Sequence, residues 1–282
     1  MRLTIISLLF WLLASSAFAE LKVMAINTEW LWTPHDHQVD GRIYNQGDMS
    51  ERAYEQELNF YAALIQHNGS QIIAVSEIER DAVAHDLASR IGPDWRAYFK
   101  QGRDTATGQD VAILSNLDYI KGSITDFNFP SGALPGSVQQ KRLSKVLGAR
   151  FKYRAAGQNQ QVAVITAHFL SKRNESKRKS NNRQRQARAL VKAIKTFSEY
   201  GNQLVVLGDF NDFLGSPTLS ILQKEGELES IEQNMADMQL THPKYRKKSI
   251  DHILYRGLTP QDYQRIDLKS YSDHFAVYAQ FR

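Results

Sequence analysis

The sequence predicts a fold of the α/β class, with sheets inside and helices outside. Eight short runs rich in β-branched and aromatic residues recur along the 282 residues, several apolar almost throughout, and stretches with helical spacing fall between them. Strands buried on both faces read as continuous apolar runs, and their alternation with helices builds a layered domain.

In chain order, "LKVMAIN" (21–27) is the first strand-like run, and a helical pattern at about 51–68 separates it from "QIIAVSE" (71–77). A second helical pattern, about 81–91, precedes "DVAILS" (110–115). "KVLGARF" (145–151) and "QVAVITAHF" (161–169) follow, then a helix at about 183–199, "QLVVLGDF" (203–210) and a helix at about 216–225. "IDHILY" (250–255) and "HFAVYAQF" (274–281) close the chain. No repeat and no Pro/Ser/Gly linker divides these elements, so residues 20–282 are expected to form one domain.

Residues 1–19, "MRLTIISLLFWLLASSAFA", carry one positive charge at Arg2, an apolar stretch from Leu3 to Leu13 and an Ala17-Phe18-Ala19 cleavage signal. That is the pattern of a cleaved secretory leader, and its apolar stretch is short for a bilayer span. The mature chain is expected to begin near Glu20, to reach the periplasm or the medium, to insert stably in no membrane and to be monomeric. Removing 19 residues from 282, and Arg2 from the 35 basic residues, leaves 263 residues with 34 basic against 30 acidic ones. Cysteine is absent, which excludes disulfides, thiolate metal sites and cysteine nucleophiles. Any metal must sit on oxygen or imidazole.

Polar residues gather at the strand boundaries. Asn27 ends the first run, Glu77 the second, His168 lies near the end of the fifth, and Asp209 with Asn211 ends the sixth. Asp251 enters the seventh, and Asp273-His274 opens the eighth. Each alone reads as a turn residue or cap, but together they suggest one cluster at a sheet edge, where open α/β sheets place their sites.

Phosphodiester hydrolysis suits such a set, because a substrate that repels hydroxide calls for a divalent cation, an activated water and stabilisation of the departing oxygen. Carboxylate and amide oxygens suit Mg²⁺, with Mn²⁺ or Ca²⁺ as alternatives. Glu77, with Asn27 or Glu29 beside it, is the candidate ligand set. His274 is the candidate general base near neutral pH, oriented by Asp251 or Asp209. His168 and Asn211 are candidate donors to a phosphate oxygen.

The motifs "NTE" (27–29), "SEIE" around Glu77, "TAHFLS" around His168, "GDFND" (208–212), "SIDHILY" around Asp251 and "SDHFAV" (272–277) stand in an order that resembles the endonuclease/exonuclease/phosphatase family, of deoxyribonuclease I type. The resemblance spans essentially the whole mature chain. It implies a four-layer α/β/β/α sandwich, with metal-dependent phosphoester hydrolysis at one edge of the sheets. It also implies that Glu77 is the principal metal ligand assisted by Asn27, that Asp209 and Asn211 orient water and phosphate, that Asp273 approaches the metal, and that His274 pairs with Asp251. A His at position 168 is similar to the deoxyribonuclease I branch, where the exonuclease III group usually has a Tyr motif. "HFLSK" followed by "RQRQARAL" resembles bacterial secreted nucleases. "GDFND" and "SIDHILY" depart from the "GDLNYR" and "WCDR" patterns of inositol-polyphosphate phosphatases.

Lys172 to Arg188 holds eight basic residues and one acid. A solvated face is the usual fate of such a run, yet beside a phosphate-cleaving site it would collect a polyanion, so Lys172, Arg183, Arg185 and Arg188 are candidate substrate contacts. His35, Asp36 and His37 beside two tryptophans read as an ordinary loop, and His67, His85 and His242 as surface residues. The expected function is a secreted nuclease for DNA, with RNA also considered. A lipid or small-phosphoester phosphodiesterase similar to sphingomyelinases is the alternative, and a catalytically silent anion-binding module the third reading.

Overall fold

A computed structural model describes residues 20–34, 37–39, 42–44, 49–99, 101, 109–126, 143–155, 157–198, 201–234 and 249–282. The expected leader, His35, Asp36 and His242 lie outside them. The first half runs β1 (Leu21–Leu31), β2 (His37–Val39), β3 (Arg42–Tyr44), α1 (Glu51–Asn68), β4 (Ile72–Ile78), α2 (Asp81–Ile91), β5 (Arg96–Phe99) and β6 (Asp110–Ser115). Next come β7 (Asp118–Tyr119), β8 (Thr125–Asp126), β9 (Val146–Ala155), β10 (Gln158–His168) and α3 (Lys177–Ser198). The chain closes with β11 (Leu204–Asp209), α4 (Pro217–Glu225), β12 (Glu229–Ser230), α5 (Ile231–Asn234), β13 (Asp251–Arg256), β14 (Pro260–Asp267) and β15 (Phe275–Phe281).

Two mixed sheets result, ordered β14-β15-β1-β4-β6-β5 and β12-β13-β11-β10-β9-β7, with β8 on β9. Residue alternation explains why they stack. Along β1, Val23 and Ala25 face the space between the sheets, while Met24 and Ile26 pack under α1 and α2. Along β11, Val205 and Leu207 face the first space, while Leu204 and Val206 meet α3 and α4. Three apolar layers thus separate four structural layers, α/β/β/α, as side chains that alternate faces along a strand require. Local signals bound the helices: Ser50 accepts from the amide of Ala53 at 3.1 Å and Gly69 ends α1 at φ 59°, while Ser216 and Pro217 open α4.

Pairing direction positions the site. β1 and β4 are parallel, as are β10 and β11, so the C-terminal ends of each pair lie together. β15 runs antiparallel to β1, and β13 antiparallel to β11, which brings their N-terminal ends to the same edge. The register is direct: His168 pairs with Asp209, and Asp209 with Asp251, forming one row across three strands.

β14 and β5 go beyond the eight runs read from sequence. β14 is an edge strand beginning with proline, with only Tyr263 and Arg265 buried, so it lacks the apolar run that marks inner strands.

Candidate active site

Tight backbone geometry shapes the strand ends that carry the site. Gly208 has φ 137°, and a Cβ there would lie 2.3 Å from the Ala167 carbonyl oxygen, so only glycine lets β11 approach β10 before Asp209. Glu77, at φ 62°, sits at the irregularity where β4 shifts register between Ser76 and Ile78, and Asn211 has φ 50°. Such conformations cost about 1–3 kcal/mol for most residues and concentrate at functional sites.

The two sheets meet through side chains. Asn27 donates from Nδ2 to Asp209 Oδ2 at 3.1 Å and to Glu77 Oε1 at 3.3 Å. His168 Nε2 lies 3.7 Å from Glu77 Oε1 and 3.6 Å from Asp209 Oδ2. Glu77, His168 and Asp209 therefore form one group able to hold a cation, and Asp209, Asp251 and His274 form a second. Asp209 belongs to both.

Burial raises the Glu77 carboxyl, against the opposing pull of Asn27, His274, Lys145 and Gln109. Burial and then the like charge of Asp251 hold Asp209 well above the usual carboxylate range. His168 is held well below its ordinary value by burial, with Lys145 and His274 adding repulsion. A buried acid and a half-buried one whose ionisation is opposed, facing a neutral imidazole, are a donor set suited to a hard divalent cation, which would relieve both acids at once.

His274 Nδ1 lies 2.6 Å from Asp251 Oδ2. Burial disfavours its cation, but Asp251, helped by Asp209 and Asp273, outweighs this and pushes the imidazole up to about 10. The Asp251 carboxylate thus stands where it can orient the His274 ring, and it favours the imidazolium in the cation-free protein. The Asp273 side chain is 75% exposed, with Oδ1 3.6 Å from His274 Nε2, and its amide donates to Glu29 Oε2 at 2.7 Å. Asn27 serves through its amide nitrogen, while its Oδ1 accepts from the Glu29 amide at 2.9 Å.

Asn211 is buried and fully engaged, donating to Asp209 Oδ2 at 2.9 Å and to the Phe169 carbonyl at 3.1 Å, and accepting from the Lys172 amide at 3.1 Å. It holds Asp209 and the segment after His168 in place. Beside it, Asp212 Oδ1 accepts from Lys172 Nζ at 2.7 Å, and Oδ2 from Thr218 Oγ1 at 2.7 Å and Arg183 Nε at 3.4 Å. Burial alone would raise Asp212, but Lys172, Thr218 and Arg183 hold it below the usual carboxylate range.

Arg183 is therefore no substrate contact. It is fully buried, paired with Asp212 and with Glu175 at 2.8 Å. Periodicity carried the signal: Arg183 lies on the α3 face of Ala187, Leu190 and Ile194, which are all buried. Arg185 and Arg188 are exposed, with Arg188 Nε 3.8 Å from Glu225. Gln109 joins the site unforeseen, donating to Glu77 Oε2 at 3.1 Å from the N-terminal end of β6. Because β6 is antiparallel to β4, its start lies at the site edge. His67 and His85 are exposed as expected, and Asp110 is buried at the start of β6.

Solved structures share this architecture. The human nocturnin catalytic domain with bound sulfate is 16% identical over 94% of this chain and 93% of its own, with a TM-score of 0.66. D. rerio TDP2 complexed with a single-strand DNA product is 15% identical over 93% and 99%, with a TM-score of 0.59. ANGEL2, a 2′,3′-cyclic phosphatase, is 13% identical over 94% and 95%, also with a TM-score of 0.59. At these identities the likeness is one of fold. No curated protein matches the sequence. The family model described as endonuclease/exonuclease/phosphatase covers residues 47–274, from before α1 to His274, and the chain belongs to that family of phosphoester hydrolases.

Proposed function

We propose that this chain is a divalent-metal-dependent phosphodiesterase, acting as an exported, monomeric nuclease on DNA, and on RNA as a second polymer, with little sequence preference. The observation that carries this is the junction at Asp209, where the Glu77–His168–Asp209 group meets the Asp251–His274 pair at one edge of two sheets. When bound at Glu77 and Asp209, a divalent cation, Mg²⁺ in this reading, supplies positive charge against the phosphodiester and activates water. Asn27 spaces the two carboxylates. His168, neutral and buried, contacts a phosphate oxygen. His274 accepts the proton of the attacking water once the charge of the acid cluster is compensated, and Asp251 stabilises the imidazolium. Exposed Arg185 and Arg188 meet the polymer backbone. TDP2, solved with a single-strand DNA product, supports a nucleic-acid substrate, and the leader pattern of residues 1–19 supports export.

The test incubates residues 20–282 with plasmid, single-stranded DNA, RNA, sphingomyelin and a chromogenic phosphate diester, with Mg²⁺ or EDTA. Mg²⁺-dependent cleavage of the polymers is expected. Hydrolysis of sphingomyelin or the small ester alone would replace the nuclease reading with a lipid or small-phosphoester hydrolase. No cleavage of any substrate with Mg²⁺, Mn²⁺ or Ca²⁺ would leave an anion-binding module.

A further inference from the structure

Side chains take over where the strand ladders stop beneath the site. β1 pairs with β15 as far as Ala25 and Val277, and with β4 as far as Asn27 and Ser76 before the register shifts. Beyond those points Glu29, Trp30 and Glu77 take positive φ, at 47°, 76° and 62°. Backbone of this kind persists only where its surroundings over-determine it. Thr28 Oγ1 donates to the carbonyls of Ser76 and Glu77, each at 3.1 Å. Ser272 Oγ donates to the Asn27 carbonyl at 2.9 Å and accepts from the His274 amide at 3.1 Å. The helix layer adds its own tie: Tyr61, fully buried on α1, turns its hydroxyl between two carbonyl oxygens, that of Thr28 at 3.3 Å and that of Tyr271 at 3.1 Å. Phe60 stacks on the Tyr271 ring at 4.2 Å, so α1 grips that turn by its side chain as well.

We propose that Tyr61 is a positioning residue, whose shared hydroxyl holds the segment carrying Asn27 and the segment carrying His274 at a fixed separation. Thr28 follows Asn27, whose amide joins Glu77 to Asp209, and Tyr271 precedes Ser272, whose hydroxyl holds the His274 amide. The β1–β15 ladder ends before both segments, so their spacing rests on side chains. Asp251 orients the His274 ring, but it stands on β13 in the other sheet and leaves the approach of His274 to Asn27 unset. Proton transfer to His274 needs the attacking water within hydrogen-bond reach of the imidazole while Glu77 and Asp209 keep their places, and a misplacement of about 1 Å costs about 10²-fold in rate. A hydroxyl that merely satisfied its own burial would need one acceptor. This one faces two, each next to a site segment, whereas the ring alone would complete the core under α1.

The proposal rests on the phosphodiesterase reading, and two readouts separate them. Tyr61→Phe keeps the ring and removes the hydroxyl. Tyr54→Phe is the matched control, two turns earlier on α1: its hydroxyl is lost from a buried tyrosine too, but its 2.8 Å bond runs to Asp86 on α2, away from both segments. With Mg²⁺ and a chromogenic phosphate diester, at a temperature where both variants are folded, Tyr61→Phe should lower kcat at least about tenfold with KM within about twofold, the pattern of an interaction felt only in the transition state. Tyr54→Phe should keep the parent's kcat. Amide hydrogen exchange without metal or substrate gives the second readout: exchange at His274 should quicken at least about tenfold in Tyr61→Phe alone, while Val277 and Ala279 within β15 report any global loss. An unchanged kcat in Tyr61→Phe would overturn the positioning role, as would equal losses in both variants in step with the β15 amides, which would assign the hydroxyl to stability. A parent that cleaves no diester would overturn the function instead. Faster exchange at His274 confined to Tyr61→Phe would then still establish the tie, and its absence would overturn that as well.

Discussion

Asn27 and Asp209, 182 residues apart, join the two sheets through a single hydrogen bond of 3.1 Å, and the same amide reaches Glu77. A neutral donor between the Glu77 and Asp209 carboxylates keeps them close without adding charge. Asn27→Asp would put a third acid in that place, and an unpaired buried charge costs several kcal/mol. The variant should unfold at a lower temperature than the parent at pH 7. The deficit should shrink at pH 4, where the added acid is protonated, and also on addition of Mg²⁺. A deficit equal at both pH values and indifferent to Mg²⁺ would show that Asn27 acts by shape alone.

His274 gives a second expectation. Asp251 pushes its imidazole up to about 10 in the cation-free protein. A divalent cation among Glu77 and Asp209 adds positive charge nearby, which disfavours the imidazolium, so the titration midpoint should fall when Mg²⁺ saturates the site. NMR titration of the imidazole with and without Mg²⁺ measures this, and an unchanged midpoint would place the cation elsewhere. Under the proposed function, His274→Ala should lower turnover about 10²–10⁴-fold with the fold retained, the usual loss for a general base.

The legibility of the site follows from its topology. Parallel pairs β1/β4 and β10/β11 put strand ends on one edge, and antiparallel β13 and β15 put strand starts there, so boundary residues in apolar runs could be read as a cluster. Gln109 escaped because an amide before a strand looks like any turn residue. β14 escaped because an edge strand with two buried residues has no apolar run. Arg183 was misplaced because a run of charge was read as a surface, although its helical position aligns with Ala187 and Leu190.

Glu57 supplies a stability prediction. It is 8% exposed on α1, and burial, with Glu29 adding repulsion, pushes its carboxyl from 4.5 up to about 7. A raised acid takes up a proton on folding, so stability is unaffected below about pH 4.5, falls as pH rises through that window, and carries the full cost above about 7. Glu57→Gln removes the charge at nearly constant shape. It should leave stability unchanged at pH 4 and raise it at pH 8 by about 3 kcal/mol, following the conversion of about 1.4 kcal/mol per pKa unit. Denaturant unfolding at the two pH values checks this, and a gain of equal size at both would assign the effect to packing.

Arg183, Arg185 and Arg188 share one basic run but should behave as two kinds of residue. Arg183 is fully buried against Asp212 and Glu175. Arg183→Gln strands part of the Asp212 charge, and breaking a buried pair costs about 3–5 kcal/mol, so this variant should lose thermal stability with or without substrate. Arg185 and Arg188 are exposed, and the 3.8 Å pair of Arg188 with Glu225 is a surface contact, worth at most about 1 kcal/mol. Their replacement by Gln should leave the unfolding temperature nearly unchanged. If they meet a nucleic-acid backbone, each should raise KM for long DNA and reduce the log–log salt slope of binding by about one. A small phosphodiester, which has no distant phosphates, should not register the change. Loss of stability in the exposed pair would make them structural, and an unchanged salt slope would make that face of α3 merely solvated, leaving polymer capture to the site edge itself.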